Sequence, residues 1–376
     1  MNIRIETVSD IRMLRDIEAQ WNSLVYESSE NPFLFPSLAE PFISLNMADG
    51  WSPMIVTISS NEKLLGIVPL TVRKIYGLRL ARFILSPAYS PDFIIRRENR
   101  NCLAPLVIDY LFKCLGCHVL SLDFKANSEH LMSLLQECKR SNARYSVVSE
   151  MGHRVLPIRS TWQDFEKNKG GNFRRKFRKI ERNLDRIGAW KVVCVHRNEA
   201  ATGVLSRILE VEKESWKETY RVKKGAKADD VLMAILKGLN TAVHVQPNVD
   251  WTVWFLEMDG HPIAYTLVIL YADVAYITKT SYNARYKRFY PGIYINHVAI
   301  RQLWETKRVR LIDFLTDLQF METWTDDVEG CTRVVISKNP ILSFALGSFF
   351  LSGYVEKTLG PAMRGFFDMI PELEGF

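Results

Sequence analysis

Two runs of alternating apolar residues, 251–258 and 262–271, are separated by Asp259-Gly260, a pair that accepts the positive φ angles of a two-residue hairpin turn. Residues 274–278 alternate again as a third strand. Pro291-Gly292 then breaks the chain before a helical pattern over 293–306, and 311–314 reads as a strand. The order hairpin, strand, helix, strand excludes an all-helical bundle. It predicts a mixed, mostly antiparallel sheet crossed by helices, an α/β (α+β) fold.

The first part of the chain has a similar outline. A short strand at Ile3 and Ile5 precedes a helix ending near Trp21. The segment Asn31-Pro32-Phe33-Leu34-Phe35-Pro36 predicts a rigid loop, because each proline fixes φ and disfavours helix before it. Residues 54–58 and 64–72 form a hairpin about Asn61-Glu62, followed by a strand at 83–85, a helix at 109–114, a strand at 118–124 and an amphipathic helix at 129–140. The second block adds a helix over 201–220 and a strand at 334–336, and its tail from Asn339, rich in Phe344, Phe349 and Phe350, predicts a docked helix. A chain of 376 residues suits two domains. The outlines predict a duplicated fold, 1–150 and 151–376.

Charge is concentrated in one place. Between Lys167 and Arg186 stand nine basic residues against Glu181 and Asp185, an excess equal to the net charge of +7 for the whole chain. Asn172 is expected to cap a helix whose apolar stripe is Phe173, Phe177, Ile180, Leu184 and Ile187. Arg174, Arg175, Lys176, Arg178 and Lys179 then cover its other side, either as a solvated face or as a site for a nucleotide diphosphate, a carrier protein or tRNA. No secretory signal is visible, and the longest apolar-leaning stretch, 344–355, is too short to span a bilayer. The six cysteines form no disulfide framework. Cys114-Leu115-Gly116-Cys117-His118 matches a haem-attachment spacing, yet nothing suggests export and no second ligand pair accompanies it. The expectation is a cytoplasmic protein with free thiols, no metal and no membrane span.

The second block resembles a known family. The residues are Asn172-Phe173-Arg174-Arg175-Lys176-Phe177-Arg178, Glu214-Ser215-Trp216-Lys217, Tyr276, Lys279 and Tyr282 leading into Tyr290-Pro291-Gly292, then Ile312-Asp313-Phe314 and Trp324-Thr325. Asn31-Pro32-Phe33, Trp51-Ser52-Pro53 and Pro69-Leu70 join them from the first block. Together they resemble the CelD-like or FemAB-like branch of the GNAT acyltransferase superfamily. That resemblance implies two tandem GNAT-like domains with the active centre mostly in the second. It implies an amide-forming N-acyltransferase with no tightly bound cofactor. An acyl-CoA or acyl-carrier-protein thioester would be the co-substrate and a small-molecule amine the acceptor. Fem-like relatives take their acyl group from aminoacyl-tRNA, which stays open here, as does a non-catalytic binding module. The usual GNAT phosphate loop, Arg/Gln-x-x-Gly-x-Gly/Ala, is replaced by Arg288-Phe289-Tyr290-Pro291-Gly292-Ile293-Tyr294, and Phe320-Met321 stands where the branch often has Tyr-Lys.

Candidate site residues follow. Arg288, Pro291, Gly292 and Tyr294 surround a helix start suited to a donor's phosphates. Lys279 and Asp313 each end a strand, Lys279 to hold an acceptor carboxylate or an oxyanion, Asp313 to orient or deprotonate the amine. Glu212, four before Trp216 on a helix, is a candidate base, and so is His297. Tyr282, Tyr290 and Tyr294 are candidate proton donors for a leaving thiolate. Backbone donors for the oxyanion are expected on the strand at 251–258.

Overall fold

The computed structural model describes residues 3–339 apart from 30, 76, 127, 142, 198–200, 216–235, 237 and 240–247. Trp216, Lys217 and the helix expected beyond Asn339 lie outside the described residues. Two compact units emerge: the described part of Met1–Gly152 with Glu329–Phe376, and His153–Val328.

In the first unit β1 (Ile3–Val8), β2 (Ser52–Ser60), β3 (Lys63–Ile75) and β4 (Leu78–Phe83) are sequentially antiparallel. The pair β5 (Ile94–Ile95) adds to β3. After α1 (Leu14–Ser28), α2 (Pro36–Ala48) and α3 (Arg100–Asp109), strand β6 (Val119–Lys125) lies parallel to β4. The Asn31–Pro36 loop is rigid for the expected reason and one more. The Asn31 side chain accepts from Phe33 N and donates to the carbonyls of Tyr89 and Ser90. Trp21, fully buried, donates to the Leu34 carbonyl. Helix α4 (Glu129–Arg140) covers the core that Leu120, Leu122, Phe124, Leu131 and Leu134 share.

A strand the sequence did not announce, β7 (Arg144–Pro157), leads onward from α4, and its end from Val155 pairs with the second unit's sheet. Conversely, β13 (Val328–Ser337) pairs through residues 331–337 with β6. The chain passes from the first unit to the second within β7 and returns to the first at the start of β13.

The second unit begins with α5 (Trp162–Lys169) and α6 (Gly171–Asp185). Asn172 is not the cap: Gly170, at φ +83°, closes α5 and opens α6, and the Asn172 Oδ1 accepts from Arg175 instead. Strand β8 (Trp190–His196), helix α7 (Ala201–Lys213), β9 (Val249–Met258), β10 (His261–Tyr271) and β11 (Val274–Tyr282) follow. Helix α8 (Pro291–Glu305) crosses back to β12 (Leu311–Asp313), which runs parallel to β11. The strand order is β7-β12-β11-β10-β9-β8. Asp259 and Gly260 have φ of +50° and +86°, the hairpin turn that the sequence requires. Both units are mixed sheets flanked by helices.

Four apolar positions of α6, Phe173, Phe177, Ile180 and Leu184, are buried in one cluster with Ile295, Ala299 and Ile300 of α8. Phe177→Ala should cost about 3–5 kcal/mol in urea unfolding. Arg174→Glu and Arg178→Glu, at exposed positions, should stay within about 0.5 kcal/mol of the parent.

Candidate active site

Strands β11 and β12 pair only from Val274 to Tyr276 against Leu311 to Asp313. Beyond Tyr276, β11 continues to Tyr282 while β12 ends, so the two strands part at their C-terminal ends. A bulge at Thr278 shifts β11 against β10: Leu267 faces Lys279 and Val268 faces Ile277. Strand β9, by contrast, is paired on both sides, with β8 and β10. Its backbone donors are spent in those ladders, which corrects the expectation that the strand at 251–258 offers them to an oxyanion. Beyond Tyr276, β11 has a free edge on the β12 side.

Helix α8 opens on Tyr290, a left-handed residue at φ +55°, and no side chain caps it. Pro291 has no N–H to leave unsatisfied, and the next N–H groups, of Gly292 and Ile293, stand at the positive end of the helix dipole. Gly292 is required sterically: a Cβ there would meet the Tyr282 ring at 2.9 Å. Beside this helix start lies an open groove of about 540 Å³. Asn172, Arg175, Lys176 and Lys179 of α6 line one side, Tyr290 and Ile293 the other, and no acidic residue lines it. The structure thus joins two groups of residues that are distant in sequence, the basic helix and the Pro291-Gly292 helix start. The Lys176 amine donates to the Thr323 hydroxyl at 3.0 Å, and burial lowers its pKa.

The opposite face of the sheet carries a different set. Register places Tyr276, Lys279, Asp313 and Tyr265 together there, on the side covered by α7. Glu212 of α7 is 2% exposed and accepts from the Tyr265 hydroxyl at 2.6 Å and from Ser215 at 3.4 Å. The Asp313 Oδ1 accepts from Leu315 N, and its Oδ2 is 3.2 Å from the Nε2 of buried His153. His153 was invisible in the sequence, since a lone histidine on a strand carries no spacing signal. Lys279 is half-buried and makes no ion pair among the described residues.

Residues 171–321 match the sequence model of the acetyltransferase (GNAT) domain. This stretch is a GNAT domain. Solved structures share the fold over most of the chain. A conserved protein of unknown function from Bacteroides thetaiotaomicron VPI-5482 is 10% identical at a TM-score of 0.55, covering 89% of this chain and 100% of that one. The C-terminal DUF2156 domain of a candidate lysylphosphatidylglycerol synthetase from Agrobacterium fabrum is 13% identical at 0.52, covering 92% and 99%. A tandem GNAT protein from the clavulanic acid pathway is a more distant likeness, 12% identical at 0.44, covering 90% and 99%. No curated protein sequence matches the chain at a significant level.

Within the GNAT domain the expected site residues divide. Lys279, Asp313 and Glu212 share one face, whereas Tyr282, Gly292, Pro291 and the basic helix lie on the α8 face. Arg288 packs its guanidinium over Phe289 at 4.7 Å, and the exposed Tyr290 lines the groove. Tyr294 points away from the groove, and its hydroxyl donates to Glu181 of α6 at 3.1 Å. Burial, with Glu181 beside it, raises its pKa, as burial also does for Tyr282. Arg174 and Arg178 are exposed on α6 outside the groove lining. His297 stacks on Phe177 at 3.5 Å, with Trp162 and Phe173 around it. Burial, then Arg301 and Lys176, depress its pKa to about 3, and its Nδ1 has no partner among the described residues. It is a neutral packing residue at ordinary pH.

Two outcomes follow. His297 stays neutral when folded but takes a proton below about pH 6.5 when unfolded, so stability from this group is complete above that pH. It should fall by about 1.4 kcal/mol per unit as pH drops toward 3. Denaturant titrations at several pH values should show this slope, reduced in His297→Phe. Gly292→Ala should destabilise by about 1–3 kcal/mol through overpacking against Tyr282. Adding Tyr282→Ala should remove the clash, which a double-mutant cycle detects.

Proposed function

We propose that the chain is an N-acyltransferase. It moves an acyl group from a phosphate-bearing thioester donor, acyl-CoA in the first instance, to a small-molecule amine by direct attack. The observation that carries this reading is the acid-free groove where Arg175, Lys176 and Lys179 meet the open N-terminus of α8. Helix N–H groups and three cations converge there, the chemistry that holds a diphosphate. The donor's acyl end would reach the parting of β11 and β12, where unpaired backbone of β11 supplies donors for the developing oxyanion. The amine would approach from the α7 face. Asp313 would orient it and take its proton, Lys279 would hold an acceptor carboxylate or the oxyanion, and Glu212 would position Tyr265. Tyr282, against the helix start, would protonate the leaving thiolate. The attack needs no covalent enzyme intermediate.

A second reading, an aminoacyl-tRNA donor, is favoured by one observation: Arg174, Arg178 and Arg182 of α6, and Arg186 just after it, remain exposed outside the groove lining. The two readings separate by salt. RNA binding should weaken with a log–log slope of about −0.7 per phosphate contacted on single strands and about −0.9 on duplex.

The deciding experiment measures amine-dependent thiol release from acetyl-CoA across a panel of amines, and aminoacyl transfer from charged tRNA in parallel. Arg175→Glu with Lys179→Glu should raise the donor KM at least about tenfold, while Lys279→Ala and Asp313→Asn should each lower kcat by about 10²–10³. Charge reversal in the groove with unchanged KM removes the donor from it. Rates within about threefold of the parent remove Lys279 and Asp313 from the reaction. Turnover with neither donor, in a folded protein that still binds acetyl-CoA, would leave a binding module.

A further inference from the structure

The edge strand β8 ends in a cysteine and a histidine for which the transfer reaction has no use. Cys194 and His196, two residues apart, share one face of the strand, and Thr252 lies opposite His196 on β9. The His196 Nε2 is 3.6 Å from the Cys194 sulfur, and its Nδ1 is 3.2 Å from the Thr252 hydroxyl. Thr252 is 2% exposed, whereas Cys194 is half-buried and His196 is exposed. A nucleophile, a base and a group that orients the base stand here in hydrogen-bonding sequence.

When the thiol gives its proton to Nε2, both ring nitrogens donate, Nδ1 to the Thr252 oxygen and Nε2 to the thiolate. A thiolate beside an imidazolium ionises at lower pH than a free thiol. Trp254, cross-strand from Cys194, donates its indole N–H to Gln302 of α8, and neither residue titrates. Lys191 of β8 is on the other face, paired with Glu257.

The remaining five cysteines lack this arrangement. Cys117, Cys138 and Cys331 are buried, which pushes their thiols up to about 11, 12 and 12. Cys102 and Cys114 are exposed, and the Cys102 thiol faces the Asn99 carbonyl at 3.1 Å.

We propose that Cys194 is a modification site, a thiol ionised by His196 and open to soft electrophiles, small disulfides above all. The Cys194 thiolate attacks one sulfur of the disulfide. A new S–S bond forms as the old one breaks, and the second sulfur leaves as a thiolate that takes the proton held on His196. The disulfide itself is the oxidant.

The test is site-resolved alkylation of the full chain by iodoacetamide between about pH 5.5 and 9, read by mass spectrometry. At about pH 6.5 Cys194 should react at least about tenfold faster than Cys102 and Cys114. His196→Ala should bring it down to their rate, and Thr252→Val should lower it part-way. Oxidised glutathione should form its first mixed disulfide at Cys194. Protection of Cys117, Cys138 and Cys331 in the same spectra reports that each variant is folded. Cys194 reacting in step with Cys102 and Cys114, or unaffected by His196→Ala, overturns the proposal.

Discussion

Helix α6 is charged on one side and apolar on the other, and its apolar side is held against α8. Phe177 stacks on His297, Phe173 packs nearby, and Tyr294 of α8 bonds to Glu181 of α6. These contacts fix the roll of α6 about its axis. With the roll set, Arg175, Lys176 and Lys179 line an open groove beside the beginning of α8. The cost of keeping like charges together falls on this packing, because the groove lining has no acid to offset them. A neutral His297 is part of the same arrangement, since a charged imidazole inside that aromatic cluster would need a partner that the site lacks.

The second constraint is the parallel pair β11 and β12. Parallel strands need a crossover, and here it is α8, so the open helix start and the parting strands share one end of the sheet by connectivity. Three paired positions are enough to define the direction of β12 while leaving the rest of β11 unpaired on that side. The bulge at Thr278 re-aims the residues after it. Lys279 falls on the α7 face with Asp313, whereas Thr280 faces α8 and donates to Asn296. One extra residue thereby decides which face receives the lysine. The basic groove and the polar cluster around Asp313 lie on opposite faces of the sheet.

Much of the architecture was legible in the residues. Alternation marked the strands of both hairpins, Asp259-Gly260 and Asn61-Glu62 marked their turns, and Pro291-Gly292 marked the start of α8. The stripe of Phe173, Phe177, Ile180 and Leu184 marked the buried face of α6. Strand β7 was not legible, because Gly152 and polar residues interrupt its alternation, and neither were α5 and the Gly170 joint that begins α6 in place of an Asn172 cap. Of the candidate site, the basic helix and the Pro291-Gly292 helix start were each readable from composition and turn chemistry. Their convergence was not, nor was the pairing of His153 with Asp313 or of His196 with Cys194.

The sequence by itself determined the elements, because periodicity, turn residues and local charge act over a few residues and need no partner. It also determined the chemistry available: an excess of cations in one helix, a Pro-Gly helix start, and carboxylates at the ends of secondary structure. Only the tertiary structure decided which of these meet. Whether Lys279 shares a face with Tyr276 and Asp313 depends on one bulge. Whether Tyr294 reaches a donor or Glu181 depends on how α6 packs on α8. Whether β13 finds β6, some two hundred residues earlier in the chain, depends on which strand edge is free. Those outcomes are set by pairing register and core packing between residues distant in the chain, and no local pattern encodes them.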